Sequence, residues 1–396
     1  MSLQQVLFWL LVFFLPTQLG RHFWPESALV LGIRVDYLAP TIYLTDLLIL
    51  GVLLSWVWAK RNQFTISRYW WVGIVFVYLF LTSLLAQNPG AAFYKLGKMI
   101  EFSLLGFYVT KNNYTLAAIR QTLPWAIVYS SLVVIFQFLK QGSLGRFFWW
   151  LGERTFNAGT PGIALVDWGG RLFLRPYGTF SHPNSMSGFL LVALVLVWGL
   201  GKNLSPGLKI ISTALGLIAL VLSFSRAAWL AGMLVGLWFM VNSLLGKKFQ
   251  GLFTMVVVGA FLFFLNLTEP AVQERIWSMK MAIGMIQVNL WGGVGLNNFI
   301  AHLSEFWTGS GIYFLQPVHN IFLLVAAETG LIGFMVFFWF LWLSFKRNII
   351  YRQKYLLFSL LVILLTGFLD HYWLTLQQNI LLATIVFGLI WGKMKT

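Results

Sequence analysis

From residue 5 to residue 392 the chain is a succession of apolar runs, most of them long enough to cross, as helices, the roughly 30 Å hydrocarbon layer of a bilayer. In hydrocarbon every backbone N–H and C=O must find its partner within the chain, which leaves helices or a closed barrel. Runs this long, without strict alternation, read as helices. They fall at 5–19, 41–59, 69–86, 92–110, 118–139, 185–201, 208–224, 226–245, 251–267, 319–345, 355–373 and 377–392, twelve in all. With 59% of its residues hydrophobic and only 10% charged, the chain lies outside the range of soluble domains. The expectation is an all-α, polytopic integral membrane protein with about twelve transmembrane helices in a single domain over residues 1–396. Residues 5–19 lack a basic flank and a small-residue cleavage site, so they read as the first span and not as a signal peptide. The absence of cysteine excludes disulfides and thiolate metal sites.

A net charge of +16 suggests nucleic acid until the charges are sorted. With both termini placed in the cytoplasm, the inside loops and span ends hold Lys60, Arg61, Arg68, Lys111, Arg120, Lys202, Lys209, Lys247, Lys248, Lys346, Arg347, Arg352, Lys354, Lys393 and Lys395, with no Asp, Glu or His. That is the positive-inside pattern, so the excess charge orients the chain against membrane lipids and is not a nucleic-acid footprint. On the outer face the cations are mostly arginine, and all five histidines fall there as well. Arginine grips phosphate or carboxylate with a planar fork where lysine offers a point charge. Any chemistry therefore belongs to the outer face. Two outer connections are long, 140–184 and 268–318; both are rich in aromatics and glycine, and residues 271–288 of the second have the pattern of an amphipathic helix.

Several residues stand out. Arg226 in "SFSRAAWLAG" lies between two spans with almost no loop. A cation there costs about 2.5–3.5 kcal/mol on insertion scales, so it either snorkels to headgroups, pairs with an acid, or meets an anionic ligand. Arg275 opens the amphipathic segment of the second outer loop. Arg175 precedes Pro176 and is extended; with Arg171 and His182 it either lines one polar cavity or anchors to headgroups. His319, followed by Asn320 at the mouth of the tenth span, is placed to act as a general base near neutral pH or to serve as a helix-end structural residue. Glu328 lies nine residues on, about 13 Å deeper by helix rise, and is no direct partner of His319. Lys95, Lys98 and Glu101 share one helical side, as an internal ion pair or a polar path. Asp370-His371 reads as a second acid–base pair or a local hydrogen bond. No P-loop, HExxH motif or Asp-x-Asp pair is present, and "GGVGLNNF" departs from the dinucleotide fingerprint. Nucleotide hydrolysis and metal-dependent transfer from a cytosolic donor are disfavoured.

In order along the chain, "FSRAAWLAG" (224–232), "ERIWSMKMA" (274–282), "WGGVGLNNF" (291–299) and "VHNIFLLVAAETGLIGF" (318–334) resemble the O-antigen ligase family, which also includes O-antigen polymerases and some protein O-oligosaccharyltransferases. The close resemblance covers about 210–335, a core region that includes the second outer loop. It implies a GT-C-like enzyme in the inner membrane, with no metal or other cofactor. Such an enzyme takes a glycan from an undecaprenyl-pyrophosphate-linked donor to lipid A-core, another glycan or protein. By position it makes His319 the catalytic base and gives the pyrophosphate to Arg226, Arg275 and Arg175, with Asn320, Arg171 and His182 in support.

The residue chemistry is compatible. Glycosyl transfer from a pyrophosphate needs cations on the leaving group and a base on the acceptor hydroxyl. One base without a neighbouring carboxylate nucleophile suits a single inverting displacement. The competing readings are a lipid-linked glycan flippase, which needs no histidine, and a peptidoglycan polymerase, which would want a catalytic Asp where only Asp167 lies in the long loops.

Overall fold

The computed structural model describes residues 2–60, 70–201, 204–244, 270–305, 315–351 and 353–392. Its helices are α1 (Leu3–Phe13), α2 (Leu44–Lys60), α3 (Trp70–Leu84), α4 (Pro89–Lys111), α5 (Tyr114–Lys140), α6 (Pro183–Leu200), α7 (Pro206–Leu222), α8 (Arg226–Leu244), α9 (Pro270–Val288), α10 (Phe299–Leu303), α11 (Ile321–Tyr351), α12 (Lys354–Leu369), α13 (Tyr372–Thr375) and α14 (Gln377–Trp391). Every expected span except 251–267, which lies outside the described residues, coincides with one of them. Tyr114–Lys140, Pro183–Leu200 and Ile321–Ile350 are long and apolar enough to cross a membrane, and several other helices are apolar but shorter. The segment at 271–288 is helical, as α9, but its apolar and polar residues are not segregated to opposite faces as an amphipathic helix requires. Some ends move: α1 stops at Phe13, short of Pro16, and α12 stops at Leu369, where Asp370 turns extended.

The described residues are mostly helical, as the expected all-α class requires, with a few short strands besides. β1 (Gly20–His22) pairs with β4 (Thr41–Tyr43), β2 (Leu29–Val30) with β3 (Ile33–Arg34), and β5 (Leu165–Trp168) with β6 (Arg171–Leu174), all antiparallel. All three pairs sit in connections at one end of the bundle. The two tight turns have positive φ at both central residues, Leu31-Gly32 and Gly169-Gly170, the twist that suits a two-residue hairpin. Asp167 fastens the second turn by accepting from the Gly170 N–H at 2.9 Å.

α6 is apolar all round and is the centre of the bundle, with Phe189, Leu190, Val192, Ala193 and Leu196 fully buried among α5, α7, α8, α12 and α14. The peripheral helices do the reverse. Leu54 and Trp58 of α2, Ile74 and Val77 of α3, Ile210 and Val221 of α7, and Phe338 and Trp342 of α11 point outward. An apolar belt of this extent is the lateral surface of a membrane protein.

α11 is two helices joined at Gly330, whose φ of 62° and ψ of −172° are non-helical. Such a break strands backbone groups that lipid cannot satisfy. The glycine-rich connection between α9 and α10 satisfies them. Val294 N–H donates to the Ala327 carbonyl at 2.8 Å, Gly295 N–H to the Glu328 carbonyl at 3.0 Å, and Leu331 N–H to the Leu290 carbonyl at 2.7 Å. The Glu328 carboxyl accepts from the backbone N–H groups of Asn297 and Phe299. Glycine is needed where the two backbones touch: a Cβ on Gly293 would lie 2.5 Å from the Glu328 carbonyl carbon, and one on Gly330 would strike the Trp291 carbonyl. Gly330→Ala is therefore expected to lower stability by about 1–3 kcal/mol from the backbone region alone, before the collision is counted. Thermal unfolding in detergent should show the loss, and an unchanged midpoint would mean that the break is not structurally required.

Candidate functional site

The end of the bundle that carries the hairpins is also where α6, α8 and α11 begin, so three positive helix ends converge there. Each start has a sequence cause. "HPN" begins α6: the His182 ring nitrogen accepts from the Asn184 N–H at 3.1 Å, and Pro183 takes the first helical position, where its missing N–H costs nothing. "SFSR" begins α8 with a tight reversal. The Ser223 hydroxyl accepts from the Ser225 N–H, and Phe224 adopts φ 50°, its ring lodged against Phe138, Trp168 and Trp229. Arg226 follows as the first residue of α8, with an exposed side chain. Asn320 caps α11, accepting from the Phe322 and Leu323 N–H groups at 2.9 and 3.0 Å and donating to the Phe368 carbonyl at 3.1 Å. It thereby ties the start of α11 to the end of α12 and sets His319 beside Asp370.

Around that pair the side chains close into one group. The His319 and His371 rings lie 5.1 Å apart, edge to face. Asp370 accepts from the His371 N–H at 2.8 Å and from the Asn184 side-chain amide at 3.1 Å. Asn184 accepts in turn from Arg175 at 2.7 Å, and Arg175 also donates to the Ser223 carbonyl at 2.8 Å. Two of its five donors are thus anchored. Arg275 on α9 donates to the Leu369 carbonyl at 3.3 Å, one residue before Asp370. The His371 ring bonds the Thr375 hydroxyl at 2.7 Å and meets the Tyr37 ring edge-on at 5.3 Å.

Burial and neighbouring charge together set how these groups titrate. Burial, then the like charges of Arg226 and Arg275, push the Arg175 guanidinium down to about 10 against an upward pull from Tyr177 and Asp370, so it stays charged at neutral pH. Burial pushes His182 and His371 down to about 3 and also lowers His319, although Asp370 pulls all three upward. Burial opposes the charge on Asp370, but His319, His371, Arg275 and His182 together outweigh it and hold the carboxyl below the ordinary carboxylate range. At pH 7 the group is one carboxylate, three neutral imidazoles and three guanidiniums.

This has a consequence for stability. Above about pH 6.5 the three imidazoles are neutral folded or unfolded. Below it the unfolded chain takes up protons that the buried rings refuse, so stability falls with pH until the folded values are reached. Each such ring contributes at most about 1.4 kcal/mol per pH unit. His182→Asn, which retains a capping side chain, removes one such ring, so its unfolding midpoint in detergent should lose less than that of wild type between pH 7.5 and 5. A difference between the two proteins that did not change with pH would contradict this.

Of the residues singled out in the sequence, Arg175, His182, Arg226, Arg275, His319 and Asn320 meet at this end of the bundle. Arg171 does not join them: it opens β6 on an exposed hairpin, paired in register with Trp168. Asp370 does more than bond locally, for it faces three histidines. Sequence reasoning did not find Asn184 or Tyr37. The "HPN" start held a signal for the first, and nothing in the sequence marked the second. Lys98 forms the expected ion pair, 3.3 Å from Glu101, and also pairs with Asp46. Glu328, as expected, is no partner of His319 and faces Lys95 inside the bundle.

His319, Asp370 and His371 could serve as metal ligands, with one ligand atom from each within 4.8 Å of the others. Three guanidiniums around the same group oppose a divalent cation and favour an anion. No curated protein matches the chain. Residues 211–338 match the O-Antigen ligase family model. That stretch contains the reversal before Arg226, the Arg275 helix, the glycine-rich connection and the His319 helix start, and over it the chain is similar to the O-antigen ligase family.

Proposed function

We propose that this protein is a glycosyltransferase of the cytoplasmic membrane, with both termini in the cytoplasm and its site at the outer face. It moves a glycan from an undecaprenyl-pyrophosphate carrier to an acceptor hydroxyl, with inversion and without a metal. The observation that carries the reading is the convergence of Arg175, Arg226 and Arg275 on a His319–Asp370 pair where three helices begin.

The arginines and helix ends hold the pyrophosphate. His319 is neutral at pH 7 and takes the proton of the acceptor hydroxyl. The acceptor oxygen bonds to the anomeric carbon as the bond from that carbon to the pyrophosphate oxygen breaks. The electron pair leaves with the pyrophosphate, and the guanidiniums stabilise its added charge. Asp370 stabilises the imidazolium that forms, which returns its proton to water. Arg175 is suited to this task because its two anchored donors pre-set the fork, so little reorganisation accompanies charge development.

The test is reconstitution in liposomes with an undecaprenyl-pyrophosphate-linked glycan, an acceptor and EDTA. Product that forms undiminished by the chelator is expected. Movement of the carrier across the bilayer with no glycan transferred would replace this reading with that of a flippase.

A further inference from the structure

Beside the arginine and histidine group stands a feature that the transfer step above leaves unused: the first connection of the chain, residues 20–43. It is folded by two hairpins, β1–β4 and β2–β3, and carries aromatic and charged groups on one rim. Arg34 lies over the Trp24 ring at 5.3 Å, and the His22 ring stacks on Trp24 at 5.9 Å and 25°. The Thr41 hydroxyl fixes His22 at 2.7 Å. Asp36 reaches Arg154 of the 140–184 connection at 3.4 Å, with side chains 55% and 51% exposed. The next residue, Tyr37, is the one packed edge-on to His371.

Such an arrangement is not explained by stability. An exposed ion pair contributes between nothing and about 1 kcal/mol. Rigid, half-exposed aromatics flanked by a carboxylate and a guanidinium are instead suited to a saccharide. Ring faces take the C–H face of a sugar, and planar charged groups take vicinal hydroxyls with paired bonds. The position agrees as well. Contacts from the arginines reach the site through Asn184, Asp370 and Leu369, whereas this connection reaches it through His371. In an inverting displacement the incoming hydroxyl and the leaving pyrophosphate lie on different sides of the reacting carbon, so the acceptor needs a contact surface that is not the arginine group.

We propose that the rim formed by His22, Trp24, Arg34, Asp36, Tyr37 and Arg154 is the acceptor subsite, and that it binds the acceptor through sugar hydroxyls, so that the acceptor is a glycan or glycolipid and not a peptide. This rests on the transferase reading given under Proposed function.

The experiment uses the full chain in liposomes with a fixed undecaprenyl-pyrophosphate-linked glycan. The acceptor probe is a membrane extract from a host strain lacking this protein, which retains the unmodified acceptor. Periodate, which cleaves vicinal diols, should abolish acceptor capacity, and protease should leave it. Asp36→Asn and Arg154→Gln should each raise the half-saturating extract concentration about tenfold, with donor half-saturation and maximal rate within about twofold of wild type. The charge-swapped double variant, Asp36→Arg with Arg154→Asp, should not recover acceptor affinity. Full recovery would mean that the pair only staples two connections, and the subsite would be withdrawn. Protease-sensitive, periodate-resistant capacity would replace the glycan with a peptide. Normal acceptor saturation in both single variants would overturn the subsite alone, while absence of His319-dependent transfer by wild type would overturn the transferase reading beneath it.

Discussion

His319→Ala should reduce glycan transfer by about 10²- to 10⁴-fold while the protein still inserts and still binds the carrier, since a positioned general base contributes about that factor. The expectation rests on placement: His319 is the residue before the Asn320 cap, its ring is 5.1 Å from His371, and it lies in the field of Asp370. A pH profile separates this role from a structural one. Burial lowers the His319 pKa, so wild-type activity should persist below pH 6.5 before its acid limb is reached. Asp370 works against that lowering by stabilising the imidazolium. Asp370→Asn removes the stabilisation, so the acid limb should move to still lower pH while the plateau rate falls. A limb that moved upward, or His319→Ala activity within threefold of wild type, would remove the imidazole from proton transfer.

Arg226→Ala should lower transfer by about 10²- to 10³-fold, the scale seen when one preorganised donor to a developing anion is lost. The side chain is exposed at the start of α8, so expression and insertion should be unaffected. Arg226→Lys should leave a deficit of roughly tenfold, because the ammonium retains the charge and loses the two-pronged grip. Carrier binding measured with inactive His319→Ala as background should weaken in parallel. Transfer at wild-type rate in either Arg226 variant would take the guanidinium out of the site.

The helices were legible because long apolar runs admit few alternatives, and the helix starts were marked by "HPN" and "HNIF". The residues picked out at 175, 182, 226, 275 and 319 do lie together. What could not be read was long-range. Asp370 lies 186 residues from the Asn184 that bonds it, and Tyr37 comes from a connection whose short hairpins carry little periodic signal. The helix break at Gly330 was hidden for the same reason: "ETGLIGF" continues an apolar pattern, and only the neighbouring "WGGVG" backbone explains why the helix stops there. Arg171 illustrates the opposite limit, since proximity to Arg175 in sequence did not survive the turn between them.

The division of α11 at Gly330 also bears on how the protein tolerates different lipids. A continuous helix answers a thicker or thinner bilayer by tilting as a rod, and its far end swings with it. Here the lipid-facing half, from Leu331 onward, is joined to the His319 half through one non-helical residue, while the His319 half is pinned by the glycine-rich connection and by Asn320. Changes in acyl-chain length are thus expected to be taken up below the joint, leaving the imidazole in register with the arginines.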